Sequence, residues 1–201
     1  MKFAEYTVDE FNEKLASKAP TPGGGSVAGL GAALSAALIE MVINLTDDEA
    51  LKQKVPEVKE KRKRALELID EDSESFDQVM NAFRMAKDSE KEKEERRKAI
   101  QSALYAASLT PLDTMNLGLK LLKIARAIIC NSNPNAISDI GVAGFIGMAA
   151  VNSAKLNVLI NASSLNNDEK ADKLEKEAEN IENEAKELLN EIQDITLNKI
   201  N

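Results

Sequence analysis

The chain has 201 residues, 30% of them charged and 43% hydrophobic, with a net charge of −8, a single cysteine and no histidine or tryptophan. This is the composition of one globular domain; the negative charge and 3% aromatic content argue against a nucleic-acid partner. The lone cysteine excludes an intrachain disulfide and a thiolate zinc site, and without histidine any proton transfer falls to Asp, Glu, Lys, Tyr or Cys.

No segment alternates with period two, and nearly every segment reads as helix. The N-terminal "MKFAEYTVDEF" carries acids and lacks the apolar stretch of a signal peptide, which predicts a cytoplasmic protein. Thr7 to Glu10, "TVDE", is a capping box that opens a short helix with Phe11 and Leu15 on one face. The stretch "APTPGGGSVAGLGAALSAAL" (Ala19–Leu38) then sets a proline and three glycines before a run of small apolar residues. Three glycines in a row cost backbone entropy, and bare backbone at a helix start suits close approach of another group, often an anion. Pro22 makes the entry and Ser26 is placed to cap a helix running to about Leu45. That helix carries no charge before Glu40, but its many small residues and missing basic flank predict a buried core helix and no membrane span.

Pro56 suits the first turn of a third helix, reaching about Ala86. Ser89 to Glu92, "SEKE", is a second capping box; its helix should kink or break at Pro111 and continue to about Ile129. "CNSNPNAISD" (Cys130–Asp139) is a polar turn, with Ser138 or Asp139 placed to cap a fifth helix that is small or apolar almost all round until Lys155. The final helix, about Asp168 to Ile200, carries a heptad seam from Leu174 through Ile181 and Leu188 to Ile195. That seam can pack on its own domain or on a second subunit. No repeat or linker interrupts residues 1–201, so the fold class is all-α: a single-domain helical bundle with long antiparallel helices.

The candidate chemistry is sparse. On a helical wheel Asp72 shares a stripe with Ala65, Ile69, Phe76, Met80 and Phe83, while Asp70, Glu71 and Glu74 point away. A carboxylate on an apolar face must be paired, hydrogen-bonded or neutral, and such an environment suits either a general base or an Asp bound to a helix end. Asn133, Asn135, Ser138 and Asp139 form a second polar cluster, whose ordinary use is a turn and a helix cap. Asn152, Asn157 and Asn161 recur on an apolar helix and need partners from the bundle or a ligand. Arg84 and Lys87 can meet an anion or simply face solvent.

At these residues the sequence resembles the formiminotetrahydrofolate cyclodeaminase and methenyltetrahydrofolate cyclohydrolase family. "PTPGGGSVAGLGAAL", "IDEDSESF" (Ile69–Phe76) and "SNPNAISDIGVA" followed by "NVLIN" are similar to its three motifs, in the same order, with only the last helix generic. Ser132 stands where a glycine is common, and Ala86 where a proline often precedes the equivalent of Lys87. The resemblance implies an all-helical homodimer that binds a reduced folate, polyglutamylated or not, with no metal and no cofactor. It maps the catalytic carboxylate onto Asp72, and substrate contacts onto Gly23, Gly24, Gly25, Ser26, Lys87, Asn133, Asn135, Ser138 and Asp139. The implied reaction is cyclodeamination of 5-formiminotetrahydrofolate to 5,10-methenyltetrahydrofolate and ammonia, with methenyltetrahydrofolate cyclohydrolase as the alternative and no formiminotransferase activity. A reading from another class is a non-catalytic helical dimerisation scaffold, for which the glycine triplet and Asp72 have no use.

Overall fold

The computed structural model describes residues 2–201 and contains helices and turns, with no strand among them. A 3₁₀ turn at Phe3–Glu5 precedes α1 (Val8–Leu15), α2 (Gly24–Asn44), α3 (Glu49–Lys52), α4 (Val55–Arg84) and α5 (Glu90–Ile128). A second 3₁₀ turn, Pro134–Ala136, leads into α6 (Ile137–Ala162), and α7 (Asp168–Ile200) closes the chain. Both capping boxes form: Glu10 accepts the Thr7 amide at 2.8 Å, and Glu92 accepts the Ser89 amide at 2.8 Å.

α2 runs through the middle of the bundle, between α4 and α6 and over α5. Its small residues permit this. A Cβ on Gly29 would stand 3.1 Å from the Ile69 nitrogen and 3.3 Å from the Ala65 carbonyl oxygen, so α4 approaches backbone to backbone. Gly25 meets Asp72 while Gly29 meets Ala65 and Ile69, so the two helices run antiparallel. On the other side Gly24 faces Asn157 and Gly31 faces Ala150, which sets α6 antiparallel to α2 as well. The core is mostly Ala, Ile, Leu and Val, drawn chiefly from α2, α5 and α6 with contributions from α4 and α7, and includes Ile39, Ile43, Leu121, Leu122 and Ile140, all but inaccessible to solvent. Glu40, the first charge on α2, is buried against Arg62 at 3.0 Å, so even this charge is neutralised.

The structure corrects several expectations. α2 starts at Gly24, and Ser26 is a buried residue inside its first turn, not a cap. α6 likewise starts at Ile137 with Ala136 before it, so neither Ser138 nor Asp139 caps it. Pro111 does not interrupt α5, which is continuous through it. Proline lacks the amide that would bond the carbonyl four residues back; the Asn161 side chain supplies that donor to the Ala107 carbonyl at 3.1 Å. α6 is not enclosed all round: Val142 and Phe145 are exposed on its outer face.

The α7 seam is spent within the chain. Leu174, Ala178, Ile181, Ala185 and Ile192 are buried, and α7 lies against α6 and α5. Ile192 and Leu189 fit against Gly144, and Lys155 pairs with Glu182 at 2.6 Å. α2 (mean hydropathy 1.9) and Pro134–Ala162 (1.4) are long and apolar enough to cross a membrane by length and composition, yet both are integrated into this bundle.

Candidate functional site

A cavity of about 420 Å³ opens at the end of the bundle where α2 begins. That lies within the ~300–1,000 Å³ typical of ligand clefts. Its floor is Pro20, Thr21 and the glycine triplet; α4 contributes Asp72, Ser75, Phe76, Val79, Met80 and Phe83; α5 contributes Ala107; α6 contributes Asn157, Ile160 and Asn161. Asp72 is the only charged residue in that lining. The stripe expected to be core therefore divides. Ala65 and Ile69 are buried, whereas Phe76 and Phe83 are partly exposed and form an apolar cavity wall.

The triplet and Asp72 are built as one unit. A Cβ on Gly25 would lie 1.9 Å from Asp72 Oδ1 and 2.4 Å from its Cγ, so the carboxylate occupies the space that a side chain would take. The Ser26 hydroxyl reaches Asp72 Oδ2 at 3.1 Å, Ile69 O at 2.9 Å and Ser73 Oγ at 3.3 Å. Gly23, the N-cap residue, has no side chain to cap α2. The Asp72 carboxylate lies beside that first turn from a neighbouring helix, near amides that carry partial positive charge. Burial pushes the Asp72 carboxyl above the ordinary aspartate range, opposed by the Ser26 hydroxyl and then by the Ser26 amide. Asp72 is thus a half-buried carboxyl packed against the first turn of α2 and open to a cavity.

Gly24 differs from Gly25. A Cβ there would meet only Asn157 Nδ2, at 3.8 Å, and Gly23 is similarly free. These two residues offer backbone to the cavity. Asn157 and Asn161 lie one turn apart on α6 and bring amides to the opposite wall. Asn157 donates to Ser153 O at 3.0 Å, and Asn161 to Ala107 O. The recurrence of asparagine on an apolar helix was the available sequence signal for this pair; Ser73 and Ser75, inside the acidic motif, had none. Asn152 is exposed elsewhere on the surface.

The remaining candidates do not join the cavity. Asn133 caps the Pro134–Ala136 turn, accepting the Asn135 amide at 3.0 Å, and ties it to the far end of α2 by donating to Leu45 O at 2.8 Å. The 21 residues of α2 separate that turn from Gly24, a distance of about 30 Å at 1.5 Å per residue. Asn135, Ser138 and Asp139 share that remote end, because two antiparallel helices place the start of α6 beside the end of α2. Lys87 is exposed in the α4–α5 loop, outside the cavity lining. Asp70 does not simply face solvent: it accepts the Phe3 amide at 2.7 Å and anchors the N-terminal turn. Glu71 is engaged by Arg64, with 2.8 Å between Nη2 and Oε2. No cluster of three or more His, Cys, Asp or Glu side chains placed to hold a metal occurs among the described residues.

Comparison with known proteins adds a family profile described as Formiminotransferase-cyclodeaminase, which matches residues 7–180. A methenyltetrahydrofolate cyclohydrolase from Methylorubrum extorquens is 37% identical over 203 aligned positions, 97% of this chain and 98% of that one. A formimidoyltransferase-cyclodeaminase from Rattus norvegicus is 28% identical over 81% of this chain, which spans only 32% of that longer protein. The crystal structure of a formiminotetrahydrofolate cyclodeaminase from Thermotoga maritima superposes with a TM-score of 0.87 at 25% identity, covering 98% of each chain.

Proposed function

This chain belongs to the formiminotransferase-cyclodeaminase family, and from that premise we propose that it works on the one-carbon bridge between N5 and N10 of a reduced folate in the cytoplasm. The observation that carries the proposal is Asp72: one carboxylate, alone in its charge, over bare backbone in an apolar cavity. The 5,10-methenyl bridge is cationic, so a lone carboxylate complements it. Hydrolysis is the primary reading, because the relative matched end to end at 37% identity is a cyclohydrolase. Asp72 takes a proton from water as its oxygen bonds to the methenyl carbon. The N5–carbon bond then breaks, leaving the formyl group on N10 with net release of one proton.

Cyclodeamination, placed first by the sequence motifs, is the second reading, supported by the full-length match to the Thermotoga maritima cyclodeaminase. There N10 bonds to the carbon of the protonated formimino group, Asp72 accepts the N10 proton and passes it to the –NH2 so formed, and ammonia leaves as the carbon–nitrogen bond breaks, giving the methenyl cation. Holding N5, N10 and the carbon in one geometry supplies much of the rate in either direction. Gly23 and Gly24 offer amides to an anionic or carbonyl oxygen of the folate. No metal or cofactor takes part. One experiment separates the reactions: methenyltetrahydrofolate and 5-formiminotetrahydrofolate are supplied in parallel, and loss of the methenyl chromophore is followed beside ammonia release. Turnover of neither substrate overturns the proposal. Activity abolished by exhaustive chelation and restored by one metal ion overturns its metal-free form.

The same proposal includes a homodimer, formed through the outer face of α2 and α6. Val27, Leu34 and Met41 of α2 and Val142, Phe145 and Leu156 of α6 are exposed there, Leu34 by 49% and Phe145 by 52%. The two rows adjoin, because Gly31 packs on Ala150 between them. The face is about 30 Å long and two helices, about 20 Å, wide. Its footprint is on the order of the ~800 Å² per partner that a stable interface buries. Glu40 is turned inward and Lys155 pairs with Glu182, which leaves Asp139, at one end of the face, as the one charge of these two helices without an ion pair among the described residues. A twofold axis that sets the two α2 helices antiparallel would bring the Asn133–Asp139 end of one copy beside the Gly24 end of the other.

A further inference from the structure

The Ser26 hydroxyl is the feature of this site that substrate contact does not explain. Ser26 is fully buried, so it cannot touch a folate. Its oxygen nevertheless stands within hydrogen-bond distance of three groups: Asp72 Oδ2 at 3.1 Å, Ile69 O at 2.9 Å and Ser73 Oγ at 3.3 Å. A hydroxyl has one proton to give and can accept two. It therefore cannot donate to Ile69 O and Asp72 Oδ2 at once, and which bond it makes depends on the state of Asp72. With Asp72 ionised, Ser26 donates to Oδ2 and accepts from the buried Ser73 hydroxyl. With Asp72 protonated on Oδ2, the acid donates to Ser26, which turns its own proton to Ile69 O. Both arrangements leave every buried group in the cluster bonded.

We propose that Ser26 is a positioning residue for Asp72: a buried two-way hydroxyl that holds Oδ2, changes from donor to acceptor as the carboxyl gains its proton, and so leaves Oδ1, over Gly25, to face the substrate. The catalytic side of this inference rests on Asp72 being the base. Among the described residues, no other titratable side chain lines the cavity beside the cluster. α2 brings Gly24, Gly25 and Ser26; α5 brings Ala107; α6 brings Asn157 and Asn161; on α4, Glu71 is bound to Arg64 and Glu74 is exposed.

The test is the titration of the Asp72 carboxyl carbon by NMR, assigned by its loss in Asp72→Asn, in the wild type, Ser26→Ala, Ser26→Cys and Ser73→Ala. Ser26→Ala loses a charge-assisted bond to the ionised carboxylate and a weaker, neutral bond from the acid, so the midpoint should rise by about one pH unit. Ser26→Cys, a weak donor, should fall between, and Ser73→Ala should shift it less in the same direction. The acid limb of kcat/KM should move by the same amount with KM little changed, a tenfold loss of rate on that limb. A Ser26 that merely packed α2 would lower Tm in the alanine variant and leave the midpoint where it is. Coincident midpoints in wild type and Ser26→Ala overturn the inference; if Ser26→Ala does not fold, a wild-type midpoint in Ser26→Cys does so. The NMR titration reads no turnover. A shifted midpoint with full activity in Asp72→Asn would thus overturn the base assignment and leave the hydroxyl's two-way bonding standing.

Discussion

At the scale of single residues, Asp72 carries the sharpest expectations. Asp72→Asn keeps its shape and can still receive the Ser26 hydroxyl, but it cannot take a proton. Turnover should fall by about 10² to 10⁴, the range for a lost general base, with affinity for a folate that carries no cationic bridge little changed; near-wild-type turnover in the folded variant overturns the mechanism. Glu74→Gln, an exposed neighbour on the same helix, is the control. Asp70 does not serve, because it anchors Phe3. The raised Asp72 carboxyl also has a stability consequence. The folded state binds its proton more tightly than the unfolded chain does, so Asp72 favours folding below the ordinary aspartate range. That contribution is lost as pH rises through the raised value. Asp72→Asn should therefore raise Tm at pH 7 relative to wild type, and the difference should vanish in acid. The glycines separate in the same way. Gly25→Ala sets a methyl 1.9 Å from Asp72 Oδ1, so the carboxylate must move and turnover should fall as in Asp72→Asn. Gly24→Val has room to fold and projects toward Asn157 and the cavity. Circular dichroism should show its helices intact while equilibrium dialysis shows folate binding lost.

At the scale of elements, α5 shows how one helix repairs another. Pro111 withholds the amide that Ala107 O would receive, and Asn161 reaches across from α6 to replace it. A buried carbonyl left unpaired costs about 1–3 kcal/mol, so Asn161→Ala should destabilise by that amount in urea unfolding. Pro111→Ala restores the backbone donor. In the double variant the cost of Asn161→Ala should shrink, and strict additivity would show that the contact carries no coupling. The exchange places a polar amide on the cavity wall, so the proline and the asparagine shape the site although neither is near Asp72 in sequence. The α4–α2 contact works on the same principle: Gly29 admits the α4 backbone, and that approach is what lets Asp72 reach the first turn of α2.

At the scale of the whole molecule, the outer face of α2 and α6 is the largest consequence of the packing. Both helices are apolar nearly all round, and the bundle leaves one outer strip of each uncovered. Contiguous exposed apolar surface of this extent marks an interaction site. Leu34→Glu with Phe145→Glu should convert the proposed dimer to a monomer in sedimentation at micromolar concentration with helical content retained. A wild-type monomer at that concentration would sink the proposal. Replacing exposed α7 residues such as Leu197 should leave the association state unchanged, because the α7 seam is already buried within the chain.

Much of this architecture was legible before any coordinates. Thr7, Ser89 and the heptad of α7 declare their helices through contacts within one or two turns, and such local rules can be read from spacing alone. The stripe on α4 put Asp72 on an inward face for the same reason, and three short motifs carried the family. What the sequence left open was which surfaces meet. Ser26 looked like a cap because its neighbours in sequence allow one; it is buried because α4 lies against Gly25 and Gly29. Asn133 to Asp139 are grouped with the glycines by motif, and the antiparallel run of α2 and α6 sets the two about 30 Å apart within one chain. The α7 seam could have met a second subunit, and Gly144 offered it a groove in its own chain. Capping and periodicity act over a few residues, whereas the position of a carboxylate over a glycine 47 residues earlier depends on how whole helices pack.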